Sequence, residues 1–154
     1  MGVDNVSIHQ ASREDAAVVV EMVHHLLKEL GGFSTQEPEQ TVALCEELLD
    51  GERYAALLAV GSQGETLGVL TLAECHALYV SGRLGWIQEL YVVPHARSSQ
   101  VGQALILAAI AYGQARGWRR LEVNTPNASE WPRTVAFYRR EGFAGESFHL
   151  RMPL

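Results

Sequence analysis

The sequence predicts an α/β domain of the α+β kind, with one mixed, mostly antiparallel central sheet flanked by helices in the order β α α β β β α β α β. Two observations carry the prediction. Three stretches rich in β-branched, aromatic and leucine residues, Tyr54 to Val60, Thr66 to Val80 and Arg83 to Val93, follow one another with only Gly-containing turns between them. That is the pattern of successive antiparallel strands. Around them lie four segments whose apolar residues recur at helical spacing, or which are apolar nearly all round.

The elements follow in order. Ile8 leads, as a first strand, into Ser12-Arg13-Glu14-Asp15, where Ser12 suits a helix cap and the acids complement the helix dipole. Ala16, Val19, Val20, Val23, Leu26, Leu27 and Leu30 then mark one face of a helix that Gly31-Gly32 stops. Pro38 opens a second helix carrying Val42, Cys45, Leu48 and Leu49, which ends at Gly51. Among the three strands, Ser81-Gly82 reads as a tight turn and Gly61 to Glu65 as a looser one. Pro94 ends the third strand, since it has no N–H for a ladder. Gly102 to Arg116 reads as a buried helix, Arg119 to Thr125 as a strand, and Trp131 to Arg140 as a helix ended by Gly142. Phe148, Leu150 and Met152 alternate as an expected last strand. With no repeat, linker or low-complexity tract, residues 1–154 read as one domain.

Composition narrows the function classes. The chain has 154 residues, 47% of them hydrophobic, with 12 Lys+Arg against 18 Asp+Glu, a net charge of −6. Such a chain buries enough surface to fold without disulfides or a metal. The acidic balance disfavours a protein that grips nucleic acid by neutralising phosphates. Cys45 and Cys75 stand far apart without ligand partners at metal spacing, and no apolar run is long enough to span a membrane. The expected setting is reducing and cytoplasmic.

The informative segment is Glu89 to Arg116: a strand, a proline, the loop Arg97-Ser98-Ser99-Gln100-Val101-Gly102-Gln103, then a helix. A helix N-terminus presents unsatisfied N–H groups and a positive dipole end, which suit a phosphate. Arg97 adds charge, the two serines add donors, and Gly102 permits close backbone approach; a solvated Arg97 and a glycine that merely eases the turn are the plainer alternative. Neither a P-loop nor a dinucleotide fingerprint is present.

Glu89-Leu90-Tyr91-Val92-Val93-Pro94, followed by Arg97-x-x-Gln100-Val101-Gly102 and a helix, resembles motif A of the GCN5-related N-acetyltransferases (GNAT), written Q/R-x-x-G-x-G/A. Phe137-Tyr138-Arg139-Arg140-Glu141-Gly142-Phe143 resembles that family's C-terminal F-Y-x-x-x-G-F. The element order agrees with a GNAT fold over essentially the whole chain. The resemblance implies acetyl-CoA, no metal, and transfer of an acetyl group to a primary amine of a small molecule or peptide. It further implies that Leu90, Tyr91 and Val92 pair with pantetheine, and that Arg97, Ser98, Ser99, Gln100, Val101, Gly102 and Gln103 hold the pyrophosphate. The sequence departs from the pattern at Gln100, where the consensus has glycine. It departs again at Trp131, where many members place an asparagine; Asn127 is the candidate substitute.

Amine acetylation needs a base for the ammonium, a donor to polarise the carbonyl and an acid for the leaving thiolate. Glu89 is the candidate base, with a salt-bridged edge carboxylate as its alternative. The Tyr91 N–H is the candidate carbonyl donor. Tyr138 is the candidate acid, as in the family, or else a core aromatic beside Phe137. Direct transfer in a ternary complex is expected, because no activated nucleophile is visible. Acceptor contacts are expected from the first two helices, the loop from Gly31 to Glu37 and the third long strand, with Phe33, Glu37, Trp86 and Trp131 as candidates. The six histidines make no ligand pattern, the Arg116, Arg119 and Arg120 cluster reads as a solvated helix end, and Cys75 as a buried thiol. A catalytically silent acyl-CoA-binding regulatory domain and an interaction module are the rival functions, and exposed edge strands make a homodimer an expectation.

Overall fold

The structure is a computed structural model and describes residues 5–31, 38–146 and 149–154. Its elements are β1 (Ser7–Gln10), α1 (Ala16–Glu29), α2 (Pro38–Asp50), β2 (Tyr54–Val60), β3 (Thr66–Ala77), β4 (Gly82–Val92), α3 (Val101–Ala115), β5 (Leu121–Val123) and α4 (Pro132–Arg140). The sheet order is β1-β2-β3-β4-β5, antiparallel through β4, with β5 parallel to β4. The expected mixed, mostly antiparallel sheet flanked by helices is therefore present. Its expected last strand is not seen among the described residues: Phe148 lies outside them, and 149–154 take no strand, with Leu150 and Met152 exposed. Alternation specifies a strand only where a sheet takes up its hydrogen bonds and covers one face.

Each face of the sheet carries its own core. Leu57, Leu70, Leu72 and Ile87 pack under α3 and reach Tyr138 of α4. Ala56, Leu58, Val69 and Tyr91 pack under α1 and α2. Successive residues of β2 and β3 enter these two cores by turns and both faces are covered, which is why the strands read as nearly continuous apolar runs.

Local chemistry sets the helix ends. The Ser12 N–H donates to the Asp15 carboxylate at 2.8 Å, which fastens the turn before α1. At the end of α3, Gly117 takes φ +75°, its N–H bonds the Gln114 carbonyl at 3.1 Å, and the Trp118 N–H bonds that of Gly113 at 2.9 Å. Those two bonds make a Schellman stop. The end of α4 repeats it: Gly142 has φ +102°, with Gly142 N–H to Arg139 and Phe143 N–H to Tyr138 at 3.1 and 3.0 Å. Phe143 also packs edge-on against Tyr138, with ring centroids 5.5 Å apart, the apolar contact that commonly accompanies this stop. Thus the Y-x-x-x-G-F spacing has a mechanical meaning before any chemical one.

Two features shape β4. Thr71 pairs with Glu89 but Leu72 with Ile87, so Gln88 is the extra residue of a β-bulge. On the other side, β4 pairs with β5 only from Gly85 to Ile87. Trp118 anchors that short ladder. Its ring stands on Gly85 where a Cβ would overlap it, it meets Tyr112 edge-on, and its Nε1–H donates to the Glu74 carboxylate. Arg116 donates to the same carboxylate at 2.8 Å, which holds the Glu74 carboxyl below its ordinary pKa.

Gly85→Ala should therefore cost about 1–3 kcal/mol, because the added methyl must displace a ring that cannot move without opening the β4–β5 ladder. A urea midpoint equal to that of the parent protein would refute the anchoring role of Trp118.

Candidate active site

Past Ile87 the two parallel strands have no further paired residues, while β4 continues to Val92. The Val93 N–H bonds the Leu67 carbonyl at 2.9 Å, which marks Leu67 and Val93 as a hydrogen-bonded pair. By alternation Val69 and Tyr91 form the next such pair, so the Tyr91 N–H faces β3. Leu90 and Val92 instead turn their N–H and C=O groups toward the open edge. The expectation that Tyr91 supplies a carbonyl-polarising N–H is thereby corrected: the strand alternation gives that orientation to Leu90 and Val92.

A cavity of about 510 Å³ lies against this edge. Leu90, Tyr91 and Val92 line it from β4, and Arg97, Ser98, Gln100, Val101, Gly102 and Gln103 from the loop and the start of α3. The loop conformation is unusual. Ser98 has φ +77° and Gln100 φ +63°, ψ +16°, so Gln100 is left-handed at the position where the motif has glycine. That costs a side-chain-bearing residue roughly 1–2 kcal/mol. Gln100 makes no side-chain cap to α3, and the first bond of this helix runs from Ala104 N–H to the Gln100 carbonyl at 3.0 Å. The N–H groups of Val101, Gly102 and Gln103 are thus left without intrahelical acceptors, at the positive end of a 15-residue helix. A Cβ on Gly102 would sit 3.1 Å from Phe137 Cζ, so glycine is what lets α3 and α4 close around the cavity. These features fit an anion such as a pyrophosphate.

Arg97 is placed differently from expectation. It lines the cavity, but its Nη2 pairs with Glu29 of α1 at 2.7 Å, its Nε–H donates to the Val92 carbonyl at 2.8 Å, and its guanidinium lies 5.4 Å from the Tyr91 ring centroid. It ties α1 to the loop. Ser99 does not line the cavity, and its N–H bonds the Ala96 carbonyl. Asn127 does not reach it either, because its side-chain oxygen accepts from the Ser129 N–H and hydroxyl at 3.0 and 2.9 Å. Trp86 and Trp131 line neither cavity described here, and Phe33 and Glu37 lie outside the described residues. Sequence reasoning missed Leu26 and Glu29 of α1 and Phe137, Arg140 and Glu141 at the end of α4. Their three- and four-residue spacings were the available signal.

The candidate acid and base lie on opposite faces of the sheet. Tyr138 is 6% exposed, sits in the core beneath α3 against Phe137 and Phe143, and does not line the cavity. Burial raises its phenol pKa, which keeps the group protonated. Glu89 faces a second cavity of about 110 Å³ between α1, α2 and the sheet, bordered by Val20, Leu44, Cys45, Leu48 and Tyr54. The Thr71 hydroxyl donates to the Glu89 carboxylate, and the Glu89 N–H donates back to Thr71 Oγ1 at 3.0 Å. Burial pushes the Glu89 carboxyl above the usual range, opposed by the Thr71 bond. The bulge at Gln88 makes this placement, since without it Glu89 would share the face of Ile87.

Residues 20–143 match the acetyltransferase (GNAT) family, and the chain belongs to it. An aminoglycoside N(6')-acetyltransferase type 1 of Klebsiella aerogenes is 39% identical over 91 residues, 53% of this chain and 55% of that protein. The chain thus matches about half the length of this curated relative. An aminoglycoside acetyltransferase, HMB0005, from an uncultured soil metagenomic sample shares the fold with a TM-score of 0.80 at 23% identity, over 97% of this chain and 99% of that one. The aminoglycoside N-acetyltransferase AAC(6')-Iy, solved in complex with CoA, gives 0.75 at 21% identity, over 97% and 94%.

Replacing Gln100 by glycine should remove the left-handed penalty and stabilise the protein by about 0.5–1 kcal/mol, a rise of about 1–4 °C in Tm. Gln100→Val should lower Tm. Equal melting temperatures for both variants would contradict the loop geometry.

Proposed function

We propose that the protein is an acetyl-CoA-dependent N-acetyltransferase that acetylates a primary amine of a small molecule by direct transfer in a ternary complex. The observation that carries this reading is the cleft where β4 outruns β5, with edge-facing backbone groups on Leu90, an edge-facing N–H on Val92 whose carbonyl is taken by Arg97, and an uncapped helix N-terminus at its end. Membership of the GNAT family supports the choice of cofactor. Leu90 and Val92 bind the pantetheine arm through the backbone, and the N–H groups of Val101, Gly102 and Gln103 hold the pyrophosphate. Arg140, stacked 5.8 Å from the Phe137 ring centroid at the rim, adds positive charge. When bound, acetyl-CoA supplies an electrophilic thioester carbonyl and a thiolate leaving group.

Glu89 accepts a proton from the incoming ammonium, which frees the nitrogen lone pair for attack. The C–N bond forms as the C–S bond breaks. An N–H of the open β4 edge donates to the carbonyl oxygen during this exchange. We assign the proton of the departing sulfur to Tyr138, held protonated by burial behind the cleft-lining Phe137. The Phe137 ring must give way for the phenol to reach the sulfur. Tyr138 regains a proton as the new amide nitrogen sheds its second one, and Glu89 returns its proton to solvent. The silent-binding reading differs in one observable: such a domain binds CoA but releases no thiol.

Thiol release with an amine panel tests the function. Tyr138→Phe should lower turnover by about 100-fold or more while keeping the thermal shift caused by CoA. Because Glu89 acts ionised and burial raises its pKa, kcat/KM should rise with pH through a value above that of an ordinary carboxylate; Glu89→Gln should abolish that limb. Turnover unchanged in both variants would remove the proposed acid and base.

Glu29 competes with cofactor phosphates for Arg97, since the two residues are paired at 2.7 Å on the cavity wall. Glu29→Gln should tighten CoA binding several-fold and steepen its salt dependence, as measured by calorimetry. Weaker binding would show that the pair serves only to hold α1.

A further inference from the structure

We infer that the second cavity selects the acceptor, and that it takes a small aliphatic monoamine in preference to a polyhydroxylated polycation. This inference rests on the acetyltransfer reading above and names the acceptor class for it.

The argument starts from size. The cavity encloses about 110 Å³, well below the roughly 300–1,000 Å³ of sites that surround a drug-sized ligand. It holds a short chain, with no room for linked sugar rings. Its walls point the same way. Val19, Val20 and Val23 of α1 face Leu44 and Leu48 of α2 across it. Such walls reward methylene groups, and Thr41, Tyr54 and Glu89 are the oxygen-bearing side chains among the lining residues, too few for the many hydroxyls of linked sugars.

Leu44 and Leu48 are also 45% and 37% exposed, one helical turn apart, in a chain that otherwise buries most of its large apolar side chains in two cores. An apolar rim of this kind costs solvation unless a ligand covers it. Polar chemistry in the cavity is sparse. Glu89 is the one carboxylate among its lining residues, and it is fixed by Thr71, which is fully buried. Glu46 and Asp50 on the neighbouring helix surface are paired with Arg13. The described lining therefore offers one counter-charge to one ammonium, with aliphatic cover for what the ammonium carries.

Glu89 and Leu90 are consecutive residues of β4, one facing this cavity and the other the cofactor cleft. An amine seated on Glu89 is separated from the thioester by the thickness of a single strand at the edge where the ladder has ended.

The test is thiol release from acetyl-CoA with a series of linear alkylamines from ethylamine to octylamine, beside an aminoglycoside. The inference expects kcat/KM to climb at least tenfold from ethylamine to an optimum near butylamine or pentylamine, and the aminoglycoside to be at least tenfold poorer than that optimum. Leu44→Ala, at a half-exposed position, should lower kcat/KM several-fold for the optimal amine and by less for ethylamine, so that the chain-length dependence flattens. An aminoglycoside acetylated well while alkylamines are not, or a chain-length series that is flat, overturns the acceptor assignment and leaves acetyl transfer standing. Absence of thiol release with every amine, despite a thermal shift with CoA, overturns the acetyltransfer reading and this inference with it.

Discussion

The structure depends on how far two parallel strands stay together. β4 and β5 are joined through Gly85, Trp86 and Ile87, and no further. Trp118 holds the joined end: it leaves the Schellman stop of α3, lies on Gly85 and is tethered by Glu74. Just beyond Ile87 comes the bulge at Gln88, where extra twist turns β4 away from its neighbour. One end of the ladder is therefore clamped and the other released. Such an arrangement concentrates unpaired backbone groups at one place, on a strand whose opposite edge is fully held by β3. Open edges elsewhere in proteins are hazards. Here the edge is set between α1, α3 and α4, so that a bound chain can reach it but a second sheet cannot easily do so.

The same bulge divides the chemistry. Side chains on one face of β4 meet α3 and α4, and those on the other meet α1 and α2. A buried carboxylate on the second face is expensive unless it is hydrogen-bonded, and Thr71 meets that requirement from the paired strand. The cluster of Glu89, Thr71, Tyr54 and Cys45 is then electrostatically linked: the carboxylate raises the phenol and the thiol, and burial raises all three. Cys45 is consequently an unreactive thiol that fills space.

Much of this was legible in the residues. The strand pattern from Tyr54 onward, the proline that ends β4 and the glycines that end α3 and α4 each act locally, and each appears where its chemistry puts it. That the loop after β4 borders a cavity was legible through its place between strand and helix. What escaped was set by distance in space. Nothing near Arg97 in the chain reveals that Glu29, 68 residues earlier, takes its guanidinium. Asn127 looks available until Ser129 is seen to use its oxygen. The face taken by Glu89 depends on one inserted residue in a register that only pairing reveals, and the burial of Tyr138 beneath α3 depends on packing from elements far from it in the chain. The final alternation of Phe148, Leu150 and Met152 shows the converse, a local signal without a described neighbour to receive it.

A strand that presents its edge to one cavity and a face to another works as a partition. Substitutions on the α1 and α2 residues that border Glu89 alter what lies on one side without replacing the backbone groups on the other, whereas Leu26 and Glu29 at the end of α1 border the larger cavity. A protein built this way can change its acceptor by small steps while its donor stays fixed. The short β4–β5 ladder is, in that sense, the part that must be inherited intact, and the two helices facing Glu89 are the part free to diverge.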